Sequence, residues 1–313
     1  MICGVPYDVL IATVLATTLR VATPLTLGAL GGLFSERSGV VNIAIEGMMI
    51  TGAFSAFVVG VLTGSLWWGL LAAILSGALL AALHALLSVT FRVDQIISGT
   101  VINILAFGIT IYFYDQYLAI SAPTVKGLPT WGLPFFEDID VFGRLFQQQP
   151  LVWATLLLVV IVHFVIFYTR WGLRTRAVGE HPRAADTVGI NVFFMRYANV
   201  IIGGAIAGLA GAYLIAEVPT FSPGITTGRG FIALAALIFG KWTPFGSLGA
   251  ALLFGLASAA QINLQQCGME IQIGGYNYAQ LIGILPYVVT IVVLAGVVGR
   301  STPPAAIGVP YEK

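Results

Sequence analysis

Apolar runs recur along this chain at about the 20-residue length that a helix needs to cross a hydrocarbon core of about 30 Å. They fall at 8–34, 40–62, 66–90, 95–118, 151–169, 193–217, 247–265 and 277–299. A further piece, 231–240, is too short to cross alone if straight. Only 9% of the 313 residues are charged, against about 25% in a soluble domain, so a water-soluble core cannot hide these runs. The expected fold is all-α: a polytopic transmembrane helical bundle of about 8 to 10 membrane-spanning helices, one of them short or broken. No linker or low-complexity segment interrupts it, and one transmembrane domain over 1–313 is expected.

Loop charge gives the orientation. Arg37, Arg92 and Arg300 stand at span ends, and the stretch 170–196 carries Arg170, Arg174, Arg176, Arg183 and Arg196. These share the cytoplasmic side if 231–240 completes a crossing. The N-terminus is then outside and the C-terminus inside. The loop 119–150 falls outside, with Pro123, Pro129, Pro134, Glu137, Asp138 and Asp140. It is either a solvated connector or a contact for an external partner. The first apolar run lacks a basic leader and a small-residue cleavage site, and reads as a retained span.

Net charge is +1 and no basic cluster with interleaved aromatics occurs, so nucleic acid is not an expected partner. Cys3 and Cys267 belong to no CxxC or Cys/His set. Both fall near the outer face, where they are either a disulfide or two unrelated small residues. His84, His163 and His181 have no metal or triad spacing, and no metal site is expected. Walker-type, HExxH and GxSxG motifs are absent, so no catalytic residue and no cofactor is expected in this chain.

Polar residues inside apolar runs mark the candidate functional positions, because lipid penalises them. Asn42 and Glu46 stand four apart in "SERSGVVNIAIEGMMITGAF". On a helix they share one face with Met49. That face either lines a solute path or is structural, with Asn42 serving freed backbone near Gly39 and Glu46 pairing with an arginine such as Arg20. A second group, "VDQIISGTVIN", places Asn103 deepest, to bond either a substrate or a neighbouring helix. A third is Glu217, followed by "VPTFSPGITTGRG". The prolines and glycines there break any helix, and the apolar piece that follows reads as a discontinuous or re-entrant element. Phe231 opens that piece and Phe221 precedes it. Each offers an aromatic face to a flat ligand or packs at the lipid interface. "ERSGVVNIAIEGMM" and "TGRGFIALAALIFG" also form a weak internal repeat, as transporter folds often do.

The loop "WGLRTRAVGEHPRAADTVGINV" predicts a short helix. Pro182 suits its first position and Gly189 its stop. So short a helix is marginal alone and needs docking. Ala184, Ala185 and Val188 offer a small apolar face for a groove on another protein. The alternative is ordinary positive-inside charge.

Taken together, "ERSGVVNIAIEGMM", "DQIISGTVIN", "GLRTRAVGEHPRAADTVGI" and "GRGFIALAALIFGKWTPFGSLGAALLFG" resemble the permease subunits of bacterial ATP-binding-cassette importers for simple sugars, branched-chain amino acids and nucleosides. The Glu-Arg-Ser-Gly opening is most similar to the nucleoside branch. The resemblance implies a multi-pass protein of the bacterial inner membrane, working with a second permease chain that is a different homologue, an ATP-binding subunit and an external binding protein, a lipoprotein or a periplasmic protein. ATP and Mg would be bound by the ATPase subunit. It implies a coupling loop over 170–192, with Gly179, Glu180, Pro182, Ala184, Ala185 and Gly189 at the ATPase contact. His181 stands where asparagine is expected in many relatives; as a weak helix cap it would make coupling pH-sensitive. Asn42, Glu46, Asn103, Glu217 and Phe231 become candidates for the substrate pathway. The rival readings are a permease for a sugar such as ribose, an ion-coupled secondary transporter using Glu46 and Glu217, and, weakest, an intramembrane enzyme.

Overall fold

The computed structural model describes residues 6–119, 123–132, 143–266, 272–273, 276–277, 284, 288, 291 and 301–312. In chain order the helices are α1 (Tyr7–Arg37), α2 (Ile45–Thr63), α3 (Leu66–Ala85), α4 (Gln95–Tyr117), α5 (Gly143–Phe146), α6 (Pro150–Tyr168), α7 (Arg170–Glu180), α8 (Pro182–Thr187), α9 (Val192–Glu217), α10 (Arg229–Phe239) and α11 (Pro244–Gln266). A π-helical turn, Leu86–Thr90, prolongs α3. Two two-residue strands, Gln272–Ile273 and Tyr276–Asn277, pair antiparallel. Among the described residues, seven helices are long and apolar enough to cross a membrane. The expected span 277–299 lies outside the described residues, as do Cys3, Cys267, Pro134, Glu137, Asp138, Asp140 and Arg300.

Local chemistry sets the helix starts. Asp94 accepts from the N–H groups of Ile96 and Ile97 at the head of α4. Asn191 accepts from Phe194 N–H at the head of α9, and Thr169 from Gly172 N–H at α7. Each satisfies a donor that the first helical turn leaves open. Pro150 and Pro182 occupy first positions, where no N–H is needed.

The centre of the bundle is α9. It packs against α1, α2 and α3 along a face of small residues, of which Gly203 and Gly208 matter most. A Cβ on Gly203 would fall within 2.8 Å of Ser35 Oγ and clash with the Gly31 carbonyl; one on Gly208 would clash with Ala73 backbone. With only a hydrogen there, backbones approach closely enough for dispersion to hold helices that lipid does not push together. The apolar faces turned away from this centre, such as Leu71, Leu75 and Leu79 on α3 or Val101, Ile104 and Ile111 on α4, are exposed, as lipid contact requires.

The cytoplasmic ends predicted from charge lie together. Arg37 Nε donates to the Trp242 carbonyl at 2.8 Å, beyond the end of α10. Ala306 N–H donates to the Gly179 carbonyl at 2.8 Å, and Arg92 pairs with Glu312 at 2.7 Å. α10 has 11 residues, so it is about 16 Å long and covers about half of the hydrocarbon thickness.

Candidate functional site

Span 40–62 is helical only from Ile45 onward; residues 38–44 form an irregular connector between α1 and α2. This corrects the expectation that Asn42, Glu46 and Met49 share a helix face. Hydropathy could not tell the two apart, because Val40, Val41, Ile43 and Ala44 are as apolar as any helix here.

Irregular backbone at membrane depth must find its partners within the protein. Side chains from α3 and α4 supply them. Val41 N–H donates to Gln95 Oε1 at 2.7 Å. The Val41 carbonyl accepts from His84 Nε2 at 2.9 Å. A carbonyl only accepts, so the His84 proton sits on Nε2, and Nδ1 accepts from the Ser98 hydroxyl at 3.0 Å. Asn103 bridges the connector and α2: its Nδ2 donates to the Ile43 carbonyl at 3.0 Å and its Oδ1 accepts from Gly47 N–H at 2.7 Å. Asn42 is fully buried and donates to Ser35 Oγ at 3.1 Å. Its backbone N–H bonds the Glu36 carboxylate, which also accepts from the Trp242 indole.

Glu46 makes the longest-range connection. Oε1 accepts from Gly228 N–H at 2.9 Å and Oε2 from Gly230 N–H at 2.6 Å. The carboxylate thus lies in the first turn of α2 and caps the start of α10. Two positive helix ends meet one negative charge. No Glu46–Arg20 pair forms among the described residues; Arg20 Nε donates instead to Gln148 Oε1 at 3.1 Å. The two segments read as a weak repeat are therefore in contact, with Glu46 near the C-terminal end of the first meeting Gly228 and Gly230 at the N-terminal end of the second.

The other pathway candidates fall elsewhere. Phe231 is half exposed on a face of α10 that also presents Ile232 and Ile238. Phe221 is buried among Phe54, Phe57 and Tyr114, with ring centroids 5.3–6.0 Å away, so its faces are occupied. Glu217 lines a cavity of about 430 Å³ between α1, α9, α10 and α11. Arg20, Tyr213, Arg229 and Asn263 share this cavity. Tyr213 OH donates to Glu217 Oε2 at 3.4 Å, and Arg229 is within electrostatic reach of Glu46 and Glu217. Arg229 and Asn263 were missed by sequence reasoning. An arginine beside a break and an asparagine within an apolar span were the available signals.

At the bundle end expected from loop charge to be cytoplasmic, α7, α8 and the start of α9 form the loop that the sequence predicts. The prolyl start holds, and Gly189 adopts φ +84° just past the end. The side chains divide into two sets. His181, Arg183, Ala184, Thr187 and Val188 are exposed. Ala185 is buried with Val178, Val192, Met195 and Tyr311, so it does not join Ala184 and Val188 on one outward face. Gly179 is buried where α7 meets the end of α1; a Cβ there would strike the Arg37 carbonyl. Glu180 Oε2 accepts from Ala305 N–H at 3.1 Å. The His181 side chain makes no cap bond to α8, contrary to expectation; its backbone carbonyl accepts from Ala185 N–H at 3.0 Å, the first helical bond that any N-cap residue makes.

Segment 305–312 runs back across these elements. Arg196 is buried and donates from Nη1 to the Val309 carbonyl at 2.9 Å, while its Nε and Nη2 have no hydrogen-bond partner among the described residues. Gly308 N–H donates to the Gly39 carbonyl at 3.2 Å. The segment thereby joins α7, α9 and the α1–α2 connector.

Comparison with known proteins places this geometry. Residues 14–301 match the family model described as branched-chain amino acid transport system / permease component. The chain is 43% identical to the guanosine ABC transporter permease protein NupQ of Bacillus subtilis, covering 97% of this chain and 98% of that protein. It is 39% identical to the nucleoside ABC transporter permease protein NupC of Lactococcus lactis, covering 96% of each. It is 37% identical to TsgC13 of Haloferax volcanii, a permease provisionally assigned to glucose, over 93% of each. The protein is a multi-pass membrane protein, and it belongs to the branched-chain amino acid transport system permease family.

Proposed function

We propose that this chain is the membrane-spanning permease subunit of a binding-protein-dependent ABC importer that takes up nucleosides. The observation that carries the reading is near full-length similarity to two permeases named for nucleosides, at 43% and 39% identity. A cytoplasmic ATPase subunit hydrolyses ATP and docks against the exposed face of α8. An external binding protein delivers the solute, and a second permease chain completes the membrane unit.

The contacts support a mechanical route. Movement of α8 is carried by α7 to the end of α1, because Gly179 lies directly on Arg37. From there it reaches connector 38–44, and through Glu46 the start of α10. A helix start held by one carboxylate can be re-aimed without unwinding a continuous span. That suits a two-state element biased by nucleotide on one side and solute on the other. Glu46 is fully engaged with backbone N–H groups, which weighs against its serving as a proton carrier in an ion-coupled transporter.

The sugar reading has one specific observation behind it, the similarity to TsgC13. The test is ATPase activity of the reconstituted complex with its binding protein, against nucleosides, ribose, glucose and leucine. Stimulation by nucleosides alone is expected. Stimulation by a sugar or leucine would keep the machine and replace the substrate. Transport by this chain without any ATPase would overturn the importer.

A further inference from the structure

The polar residues within the spans divide by what their polar atoms already do. Asn103, Glu46, His84 and Gln95 each bond backbone of the connector, of α2 or of α10. Those bonds would have to break before a solute could use them. The groups around the 430 Å³ cavity are differently placed. Arg20 uses Nε on Gln148, Arg229 uses Nη1 on the Ile225 carbonyl, and Glu217 accepts one long bond from Tyr213. No ion pair joins these arginines to Glu217 among the described residues. Most of two guanidinium forks and of one carboxylate therefore has no partner among the described residues.

Charged side chains at membrane depth are costly and mark solute paths when they border a cavity. This cavity is within the range of about 300–1,000 Å³ typical of small-molecule sites. Its other walls mix apolar side chains, among them Leu214, Val218, Ile225 and Ile262, with the polar Thr13, Thr17 and Asn263. Pro24 also borders it. A proline in mid-helix has no N–H, so the Arg20 carbonyl loses its usual helical partner and is left as an acceptor at the wall.

Resting on the nucleoside-import reading, we propose that this cavity within a single permease chain holds the solute in transit, and that it is matched to a nucleoside bearing a 6-oxopurine base. Such a base presents two adjacent acceptors, N7 and O6, which fit a guanidinium fork. Beside them is the N1–H donor, which fits a carboxylate. The flat faces lie against Tyr213 and the aliphatic walls, and ribose hydroxyls find the Arg20 carbonyl and the hydroxyls of Thr13 and Thr17. A free sugar lacks the flat base. A 6-aminopurine turns a donor toward the arginine and an acceptor toward the glutamate.

The test uses the complete importer in liposomes, with Cys3 and Cys267 replaced by serine and Thr17→Cys added. Guanosine delivered by the binding protein at about ten times its apparent Kd is expected to slow modification of that cysteine by a water-soluble thiosulfonate about tenfold, the factor 1 + [L]/Kd. Cytidine and ribose are expected to leave it unchanged. Completed modification should stop guanosine uptake. Glu217→Gln is expected to cut the preference for guanosine over adenosine by about tenfold or more, because the carboxylate that reads N1–H is gone. Ile225→Cys, on another wall, repeats the protection test if Thr17→Cys fails to assemble. Protection by guanosine 5′-monophosphate but not guanosine, uptake that survives modification, or an unchanged guanosine-to-adenosine ratio in Glu217→Gln would each overturn the proposal. A complex that imports nucleosides while these variants stay normal defeats the cavity alone. A complex that imports no nucleoside defeats the parent reading.

Discussion

Glu46 and Gly230, 184 residues apart in sequence, are joined by a 2.6 Å hydrogen bond from the Gly230 N–H to the Glu46 carboxylate. With the Gly228 N–H on the other oxygen, the carboxylate supplies the cap that the local sequence of α10 lacks. Glu46→Ala leaves both donors unmet, the Gly230 N–H buried and the Gly228 N–H partly buried, at about 1–3 kcal/mol for the buried one and less for the other. The expected result is a lower melting temperature for the purified complex, with Glu46→Gln falling between the variant and wild type because its single acceptor oxygen rescues one donor. An unchanged melt for Glu46→Ala would show that water or another group replaces the carboxylate.

Asn103 is expected to be less tolerant of its acid analogue than of a comparable surface change. Asn103→Asp keeps the acceptor for Gly47 N–H but loses the donor to the Ile43 carbonyl, and brings in a charge with no cation beside it. A loss of about 2–4 kcal/mol follows from the orphaned carbonyl and the buried charge. Chemical or thermal unfolding in detergent measures it directly, and a loss under 1 kcal/mol, the scale of an ordinary surface change, would remove Asn103 as a brace.

The two alanines of α8 are expected to separate stability from coupling. Ala184 is exposed and Ala185 is buried. Ala184→Glu should leave stability within about 0.5 kcal/mol while lowering solute-stimulated ATP hydrolysis. Ala185→Glu should instead destabilise the chain, since it forces a charge among Val178, Val192 and Met195. Equal stability losses for both variants would contradict the division of the helix into two faces.

The C-terminal segment offers a fourth comparison. The Arg92–Glu312 pair is solvent-exposed on both sides, so Glu312→Ala should cost about 0–1 kcal/mol. Removal of residues 305–313 takes away the Val309 carbonyl, the one hydrogen-bond acceptor that the buried Arg196 guanidinium finds among the described residues. That truncation should lower the melting temperature clearly, and Arg196→Met within it should recover part of the loss, because the unpaired charge goes with it. Failure of the methionine to recover anything would show that water reaches Arg196 once the segment is gone.

The crossings were legible because hydropathy sees length and apolarity, and α3, α4 and α9 begin within a residue or so of the predicted spans. Pro182 and Gly189 fixed α8 through backbone constraints that act locally. The connector 38–44 was not legible: Val40, Val41 and Ile43 have the composition of a helix, and what keeps them from one lies far away in sequence, at His84, Gln95 and Asn103. The same distance concealed the cavity. Arg20 drew notice only as a partner for Glu46, and Arg229 seemed an ordinary part of a polar break, until the fold placed both around Glu217.

The remote cap of α10 also bears on biosynthesis. Gly228 follows Glu46 by 182 residues, which a ribosome adding about 5–20 residues per second covers in about 10–40 s. The connector's own partners, His84, Gln95 and Asn103, are made early in that interval, but the Glu46 carboxylate sits through all of it without its final donors, and the first hairpin is expected to linger beside the insertion machinery until the second half of the chain arrives to release it.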